Sequence, residues 1–354
     1  MWKAVDALLK QTVDRNICPG CAMAAGQGRN VLYTNVTGLL VRDGERKVSH
    51  TTLYDVGALT QAMVTMPLCM LAVEKGLASP DDPIGVFLPD VPSDKKGVTL
   101  MHLLTHTSGL SPHFQLHEEA KSDRDALKAL LKHPLSGAVG AKVKDSDMGF
   151  LLLGLILETI FAMPLDEAVK RYVTAPLHMS RTGFLPSGAD VAPTAIQDEN
   201  GQAQAGFPLD GNARFLHGVA GHAGLFTNLE DATRFASMLA CQGETEEGVF
   251  LSQRAVHLAT TDRTRGMNEA RGYGLRITKR SNPFLGLLWP SDGFGLTDVS
   301  GGSAIAVSPE DGFFVTVLLN AGNPLAMRQE GERALKLLLN AAYAAFQREV
   351  YQLA

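Results

Sequence analysis

The two ends of the chain carry a helical alternation of apolar and polar positions. In residues 2–15 the apolar positions recur with the helical period and form one face, made of Trp2, Val5, Leu9 and Val13. Residues 334–350 repeat the pattern through Leu335, Leu338, Leu339, Ala342, Phe346 and Val350. A stripe of this kind buries one side of a helix against another layer. The sequence therefore predicts an amphipathic helix at each end, and each helix needs a partner surface.

Segments that favour strands follow the first predicted helix and precede the last one. Residues 22–25 and 31–41 are β-like and are separated by the turn-forming run Gly26–Asn30, which predicts a hairpin. Further strand candidates are residues 273–278, 303–307 and 313–320. We expect these later strands to rejoin the hairpin in one antiparallel sheet, which the two terminal helices flank.

The middle of the chain has helical patterns instead. Helices are predicted at residues 62–73, 99–105, 123–132, 150–160 and 165–173. Residues 183–224 are rich in Gly, Pro and Ala and lack periodicity, which indicates a long loop of the kind that forms a pocket wall. A capping box at Thr227–Glu230 is expected to open a helix that runs through Leu239.

These patterns together predict an α/β (α+β) fold with an antiparallel sheet, flanking terminal helices and an all-helical lobe. We expect residues 1–354 to form a single domain. Its α/β lobe would comprise about residues 1–60 and 228–354, and its helical lobe, with the long loop, about residues 61–227.

Composition and charge are those of a soluble globular protein. Of the 354 residues 45% are hydrophobic and 19% are charged, and the formal net charge of −5 does not favour nucleic acid or an anionic membrane as a partner. The longest apolar stretch, residues 149–157, is too short to span a membrane. Asp6 and Lys10 interrupt the apolar core that a secretion signal requires, so we expect a cytoplasmic protein.

Neither a metal nor a cofactor is expected. Cys18 and Cys21 have the spacing of a zinc or redox half-site, but the chain has no second such pair, and we interpret them as free thiols. The histidine pairs His102/His106 and His113/His117 have the spacing of two ligands on one helix face. Structural or capping roles are the preferred interpretation of these four histidines.

The junction at Tyr54–Gln61 combines an extended entry, a turn at Gly57 and an apolar helix. The first turn of a helix presents free N–H groups and a positive dipole end, which stabilise a nearby anion. Many hydrolases hold a nucleophile at such a junction. Here the position in front of the helix is Ala58, followed three residues later by Gln61. Neither side chain can attack a carbonyl group or take up a proton.

Five stretches, in the order and at the spacing of a known family, give the chain a resemblance to it. They are Thr52–Gln61, Asp82–Pro89, Leu103–Leu110, Pro176–Phe184 and Gly218–Phe226. The chain resembles the serine β-lactamase-like hydrolases, a family of class C β-lactamases, related esterases and low-molecular-weight penicillin-binding proteins. The resemblance covers nearly the whole chain and implies an α/β sandwich with a helical lobe.

The resemblance implies catalytic positions that this sequence does not fill with catalytic residues. The nucleophile and base of the Ser-x-x-Lys motif, one helical turn apart, fall on Ala58 and Gln61. The Tyr of the second motif falls on Asp145, within Asp145-Ser-Asp147. These losses suggest a lineage that no longer performs serine chemistry. Ser93 and Lys96 match Ser-x-x-Lys by letters, but they lie in a polar connection, which we interpret as a solvated loop.

The third motif and the oxyanion hole are implied near the C-terminal strands. The Lys/His-Thr-Gly strand falls on Leu296, Thr297 and Asp298, so only the Thr is retained. The oxyanion hole would use the backbone N–H groups of Ala58 and Val299. His222, within Gly-His-Ala-Gly, is expected at the pocket edge and is the imidazole most suited to residual acid–base work.

Three hypotheses about function follow. The first is a pseudoenzyme that keeps the fold for ligand binding or for a protein partner, which the sequence does not identify. The second is a hydrolase with a re-invented acid–base site made of Asp145, Asp298 and His222. The third is a structural protein whose cleft has filled in. Because positive groups are lost and Asp145 and Asp298 are gained, a ligand of the remnant pocket is expected to be neutral or cationic.

Overall fold

The computed structural model describes residues 1–42, 44–112, 114–197, 203–298, 302–320 and 328–350. The strands in these ranges are β1 (Gly20–Gln27), β2 (Asn30–Gly38), β3 (Tyr54–Asp55), β4 (Gly183–Phe184), β5 (Pro193–Gln197), β6 (Ala203–Ala205), β7 (Leu225–Thr227), β8 (Arg276–Ile277), β9 (Phe294–Asp298), β10 (Ser303–Ser308) and β11 (Phe313–Leu319).

The α-helices in the same ranges are α1 (Lys3–Asp14), α2 (Met66–Glu74), α3 (Leu100–Leu104), α4 (Leu116–Glu119), α5 (Ala126–Lys132), α6 (Asp147–Phe161), α7 (Leu165–Val169), α8 (Gly211–Phe215), α9 (Leu229–Ala240), α10 (Gln253–Thr260) and α11 (Arg328–Val350). Two π-helical segments, Gln61–Thr65 and Lys170–Thr174, precede α2 and follow α7. Short 3-10 segments lie at Ile84–Val86, Ser93–Lys95 and Asp123–Asp125.

A six-stranded antiparallel sheet, in the order β2-β1-β11-β10-β9-β8, forms the centre of the fold. β1 and β2 are the predicted hairpin, and β11 pairs with β1 so that Val317 lies opposite Met23. The last strands therefore rejoin the first hairpin, and the predicted fold class is confirmed. Of the strand candidate at residues 273–278, only Arg276–Ile277 pairs in the sheet.

The sheet is covered on both faces, which explains the continuous apolar runs of β10 and β11. Alternate residues of a strand point to opposite faces. Val315 and Val317 of β11 belong to the apolar cluster formed with α1 and α11, whereas Phe314 and Leu318 belong to the cluster that contains α9 and the central helices. The two terminal amphipathic helices thus have the partner surface that their sequences require.

Three details differ from the sequence-based expectations. α9 is capped by Asn228, whose side chain accepts the N–H of Asp231 at 2.9 Å, while Thr227 ends β7. The predicted cap is therefore one residue too early. α10 was not predicted. Residues 183–224 were expected to be a loop, but their described part contains three short strands and α8, because elements this short leave no visible period.

Residues 61–227 supply none of the strands of the six-stranded sheet within the described ranges. The predicted lobe boundaries near residues 60 and 228 nevertheless remain a prediction. Among the described helices, none is by itself both long and apolar enough to cross a membrane. Asp147–Phe161 and Leu165–Thr174 reach the required length only when taken together, and they meet at an angle of 73°.

Candidate functional site

A cavity of about 770 Å³ opens where the Ala58 turn, the start of α6, the loop before β7 and the strands β8 and β9 meet. Most of the predicted positions line it: Ala58, Gln61, Asp145, Asp147, His222, Leu296, Thr297 and Asp298. Val299 lies outside the described residues. The hypothesis of a cleft filled by side chains does not agree with a cavity of this size.

The floor of the cavity is the turn between β3 and the π-helical segment. Gly57 has a φ of +50°, a left-handed conformation that glycine adopts without strain. A Cβ atom at this position would lie 2.3 Å from Oδ2 of Asp298, so the carboxylate of Asp298 packs directly on the turn. According to the resemblance, a glycine stands at the position of Asp298 in catalytic relatives. Here a charged side chain takes up part of the space beside Ala58.

Gln61 belongs to a π-helical segment, and such bulges are frequent at functional sites. The backbone N–H of Ser146 donates to Nδ1 of His106 at 3.1 Å. Because Nδ1 accepts this bond, Nε2 carries the proton of the neutral ring, and it donates to Oε1 of Gln61 at 3.2 Å. Burial, reinforced by Arg271, lowers the pKa of His106 to about 4. At neutral pH His106 is therefore an uncharged donor that fixes the orientation of Gln61.

His106 connects Gln61, through Asp145, to the buried guanidinium group of Arg271. Its Nε2 lies 3.5 Å from Oδ1 of Asp145, and the same oxygen accepts a bond of 2.5 Å from Nη2 of Arg271. Partial desolvation by the surrounding cavity wall works to raise the pKa of Asp145, but Arg271 and His106 outweigh this effect and hold the pKa below its ordinary value. The side chain of Arg271 is only 2% exposed, whereas that of Asp145 is 69% exposed to the cavity.

Glu269 and Arg276 add two further charges to this group. We call the whole group the arginine network; it consists of Gln61, His106, Asp145, Glu269, Arg271 and Arg276. Oε1 of Glu269 lies 3.2 Å from Nη2 of Arg271 and 2.6 Å from Nε of Arg276. The angles of these contacts are unfavourable for hydrogen bonds, so both are ion pairs. Sequence reasoning missed Arg271 and Arg276. No motif marks these arginines, and the only available signal was that Glu269, Arg271 and Arg276 are close in sequence.

A second group of charges lies in the same cavity wall. We call Asp55, Asp147, Asp210, His222 and Asp298 the aspartate cluster. Nε2 of His222 lies 2.8 Å from Oδ1 of Asp210, which also accepts the N–H of Ala213 as the N-cap of α8. Burial works to lower the pKa of His222, but the neighbouring carboxylate of Asp210 raises it above the ordinary value. The ion pair with His222 lowers the pKa of Asp210 to about 2 against the effect of burial.

Asp55 and Asp147 are less well compensated than Asp210. Burial raises the pKa of Asp147, which stands in the first turn of α6. Burial also raises the pKa of Asp55 to about 7, although its oxygens accept the N–H groups of Gly57 at 3.0 Å and Leu209 at 2.7 Å. Asp55 thus ties the Ala58 turn to the long connection, which contributes to the pocket wall as expected.

Among the described residues, the serines Ser93 and Ser146 offer no replacement for the missing nucleophile. Ser146 lines the cavity, but its Oγ donates to the carbonyl oxygen of Ser111 at 2.5 Å. Ser93 lies in a 3-10 segment and is not among the residues that line the cavity. His102 caps α3 by accepting the N–H of Thr99 at 3.2 Å, which confirms its interpretation as a capping residue. His117 is exposed on α4, and His113 lies outside the described residues.

Comparison with known proteins agrees with the geometry. The family model described as Beta-lactamase matches residues 5–340. The chain belongs to the β-lactamase family. Among curated relatives, it is 26% identical over 315 residues to a candidate D-alanyl-D-alanine carboxypeptidase of Escherichia coli K12, covering 80% of this chain and 72% of that protein. It is 25% identical over 305 residues to an N-acetylmuramyl-L-alanine amidase of Bacillus subtilis, covering 77% and 69%.

Solved structures share the fold of this chain. EstCE1, a hydrolase with promiscuous acyltransferase activity, superposes with a TM-score of 0.78 at 18% identity over 96% of this chain and 98% of that one. A class C β-lactamase superposes with a TM-score of 0.74 at 19% identity, and 95% of each chain is covered. This member of the β-lactamase family therefore keeps the family's fold and an open cavity, while Ala58 and Gln61 occupy the floor of that cavity.

Proposed function

We propose that this β-lactamase-family protein is a pseudoenzyme that binds a small neutral or cationic ligand in the cavity and forms no acyl-enzyme. The observation that carries the proposal is the position of Ala58 and Gln61 on the cavity floor. Acyl transfer in this family requires a nucleophile and a base on one face of this helix. A methyl group and an amide that is already hydrogen-bonded to His106 supply neither.

The charges of the cavity support the choice of ligand. The guanidinium groups of Arg271 and Arg276 are paired with Asp145 and Glu269, so the arginine network has little positive charge left for an anion. In the aspartate cluster, four carboxylates face one imidazole. A neutral or cationic group is favoured beside such a cluster, and a carboxylate is repelled.

The relatives suggest which compounds to test. Their names refer to D-alanyl-D-alanine and to N-acetylmuramyl-L-alanine, which occur in cell-wall peptides. We expect an acyl-D-Ala-D-Ala peptide with a C-terminal amide to bind more tightly than the same peptide with a free carboxylate. Calorimetric titration of both peptides into the protein measures this difference. Equal or tighter binding of the free acid would contradict the proposed charge preference.

A hydrolase with a re-invented acid–base site is the second candidate. The guanidinium group of Arg271 binds the carboxylate of Asp145, which makes Asp145 a weaker base. The bond of 2.8 Å between His222 and Asp210 favours His222 instead, since a carboxylate can orient an imidazole that activates water. Asp298 lies against the Ala58 turn and remains a candidate acid or base in this alternative.

An activity screen separates the two candidates. Nitrocefin and p-nitrophenyl esters are offered to the wild-type protein, to His222→Gln and to His257→Gln, a matched control for an exposed histidine on α10 outside the cavity. We expect no turnover above the buffer rate in any of the three. Turnover in the wild type and in His257→Gln that disappears in His222→Gln would establish the hydrolase and refute the pseudoenzyme.

A further inference from the structure

Three potential metal ligands from separate segments meet within the aspartate cluster. Asp147 comes from the first turn of α6, Asp210 from the N-cap of α8, and His222 from the loop before β7. One carboxylate oxygen of each aspartate and one ring nitrogen of His222 lie within 4.8 Å of one another. Ligands bonded to one metal ion at about 2.1 Å lie about 3 Å apart when they are adjacent. The pair His222–Asp210, at 2.8 Å, already has this spacing.

The backbone holds these segments together. A Cβ atom on Gly221 would lie 2.3 Å from the carbonyl oxygen of Phe150, so only glycine allows the loop to approach α6 this closely. Oγ1 of Thr65 donates to the carbonyl oxygen of Gly221 at 2.6 Å and fixes the loop from the other side. His222 is thereby placed next to Asp147, which begins the same helix. The cluster is built from packed elements rather than from mobile surface side chains.

Unsatisfied polar atoms in the cluster indicate a missing partner. His222 is 2% exposed, and its Nδ1 has no hydrogen-bond partner among the described residues. Buried polar atoms are nearly always bonded, so such an atom calls for an explanation. Within the same described ranges, no donor forms a hydrogen bond to the carboxylate of Asp147. A cation beside Nε2 of His222 would bind the carboxylates of Asp147 and Asp210 together.

We propose that Asp147, Asp210 and His222 bind a divalent transition-metal ion in the cavity, with water completing its coordination. Two carboxylates and an imidazole suit ions such as Mn²⁺ and Zn²⁺. The ion would bind Nε2 of His222 and replace the proton that now lies between His222 and Asp210. This inference deepens the proposed function, on which it rests, because it identifies a cation that the cavity accepts.

The test is a titration of chelator-treated, dialysed protein with MnCl₂, followed by calorimetry and by the Mn²⁺ electron paramagnetic resonance signal. Mn²⁺ is the first probe because the thiols of Cys18 and Cys21 bind it weakly, whereas they would compete for Zn²⁺. We expect one saturable site and a rise in melting temperature on binding. Absence of a saturable site with both Mn²⁺ and Zn²⁺ would refute the inference.

Three variants assign the site. Asp147→Asn and His222→Gln each remove a ligand and are expected to weaken binding at least tenfold, as is typical of metal-site substitutions. His217→Gln is the matched control, because His217 forms an exposed pair with Asp123 at 3.4 Å and should leave binding unchanged. Melting curves without metal show that each variant is folded. Unchanged affinity in either folded ligand variant would overturn the assignment.

The result of the metal titration can be distinguished from the result of the peptide titration that tests the proposed function. The peptide titrations use metal-free protein, and the metal titrations use no peptide. If the metal titration fails while the peptide amide still binds, only the metal site is refuted. If the metal binds and neither peptide does, the metal site stands and the peptide-binding function falls.

Discussion

The arginine network and the aspartate cluster line the same cavity, but their charges are balanced differently. In the arginine network each guanidinium group lies within 3.2 Å of a carboxylate, and the neutral His106 links the network to Gln61. In the aspartate cluster several carboxylates surround one imidazole, and burial raises the pKa of Asp55 and Asp147. Removing one member of a set of internally paired charges destabilises a fold, whereas groups with perturbed pKa values are typical of functional sites.

This contrast suggests how the family's site has changed. The positions that would hold Ser, Lys and Tyr now hold Ala58, Gln61 and Asp145, and the last two are part of a network that ends on a buried arginine. In the proposed pseudoenzyme, the space that the resemblance assigns to the proton relay would have a structural function. The rest of the cavity is open, and the aspartate cluster supplies the polar groups of that part. The following predictions test this division, beginning with the largest expected effect.

Arg271→Met should destabilise the protein by about 3 kcal/mol, because a buried cation is removed and Glu269 loses one of its two partners. Urea denaturation at pH 7 measures the loss. Arg234→Met is the control, since Arg234 pairs with Glu230 at the surface and such a pair contributes less than about 1 kcal/mol. If both variants lose the same small amount of stability, the arginine network has no structural role.

His106 should make stability fall as the pH is lowered. Its pKa is about 4 in the folded protein, below the ordinary value of 6.5, so between these values the unfolded chain binds more protons. The stabilisation is complete above pH 6.5 and is lost as the pH falls towards 4. Between pH 7 and pH 5, this loss amounts to about 2 kcal/mol.

His106→Asn isolates this contribution, because Asn does not titrate and tolerates the φ of +57° at this position. The free energy of unfolding of both proteins is measured in urea at pH 7 and pH 5. The wild type should lose more stability than the variant over this range, and contributions of other histidines cancel in the difference. Parallel losses in both proteins would mean that His106 is not buried as a neutral donor.

Much of the fold could be predicted from the sequence, because its largest elements have clear periods. α1 and α11 follow from their apolar stripes, and β10 and β11 follow from short apolar runs rich in β-branched and aromatic residues, which are typical of buried strands. The two-residue strands β3, β4 and β8 are too short to show a period, and tertiary pairing alone defines them.

The candidate site was predictable only where a motif marks it. Ala58, Gln61 and Asp298 stand at motif positions and line the cavity. Arg271 and Asp210 lie in segments without a motif, and their importance arises from partners that are more than ten residues away, at Asp145 and His222. Such pairs depend on tertiary packing, which local patterns do not reveal.

Asp147→Asn should stabilise the metal-free protein at pH 7 within the roughly 0.5–2 kcal/mol that is typical of a single stabilising substitution, in contrast to the loss expected for Arg271→Met. Burial raises the pKa of Asp147, so the folded state disfavours its ionised form, and a neutral amide removes this cost. Urea denaturation in the presence of a chelator measures the change. A substantial loss of stability would show that Asp147 supports the fold in the manner of the arginine network.

Ala58→Ser should produce the smallest change, with no covalent adduct after incubation with a β-lactam, as measured by intact mass. A serine hydroxyl attacks an acyl group only if a neighbouring base takes its proton. The amide of Gln61 cannot do this, and its oxygen is held by Nε2–H of His106 at 3.2 Å. The carboxylate of Asp298 also packs on Gly57 beside the introduced hydroxyl. An adduct would therefore show that His106 or Asp298 acts as a base, and the separation between a structural network and a binding cluster would no longer hold.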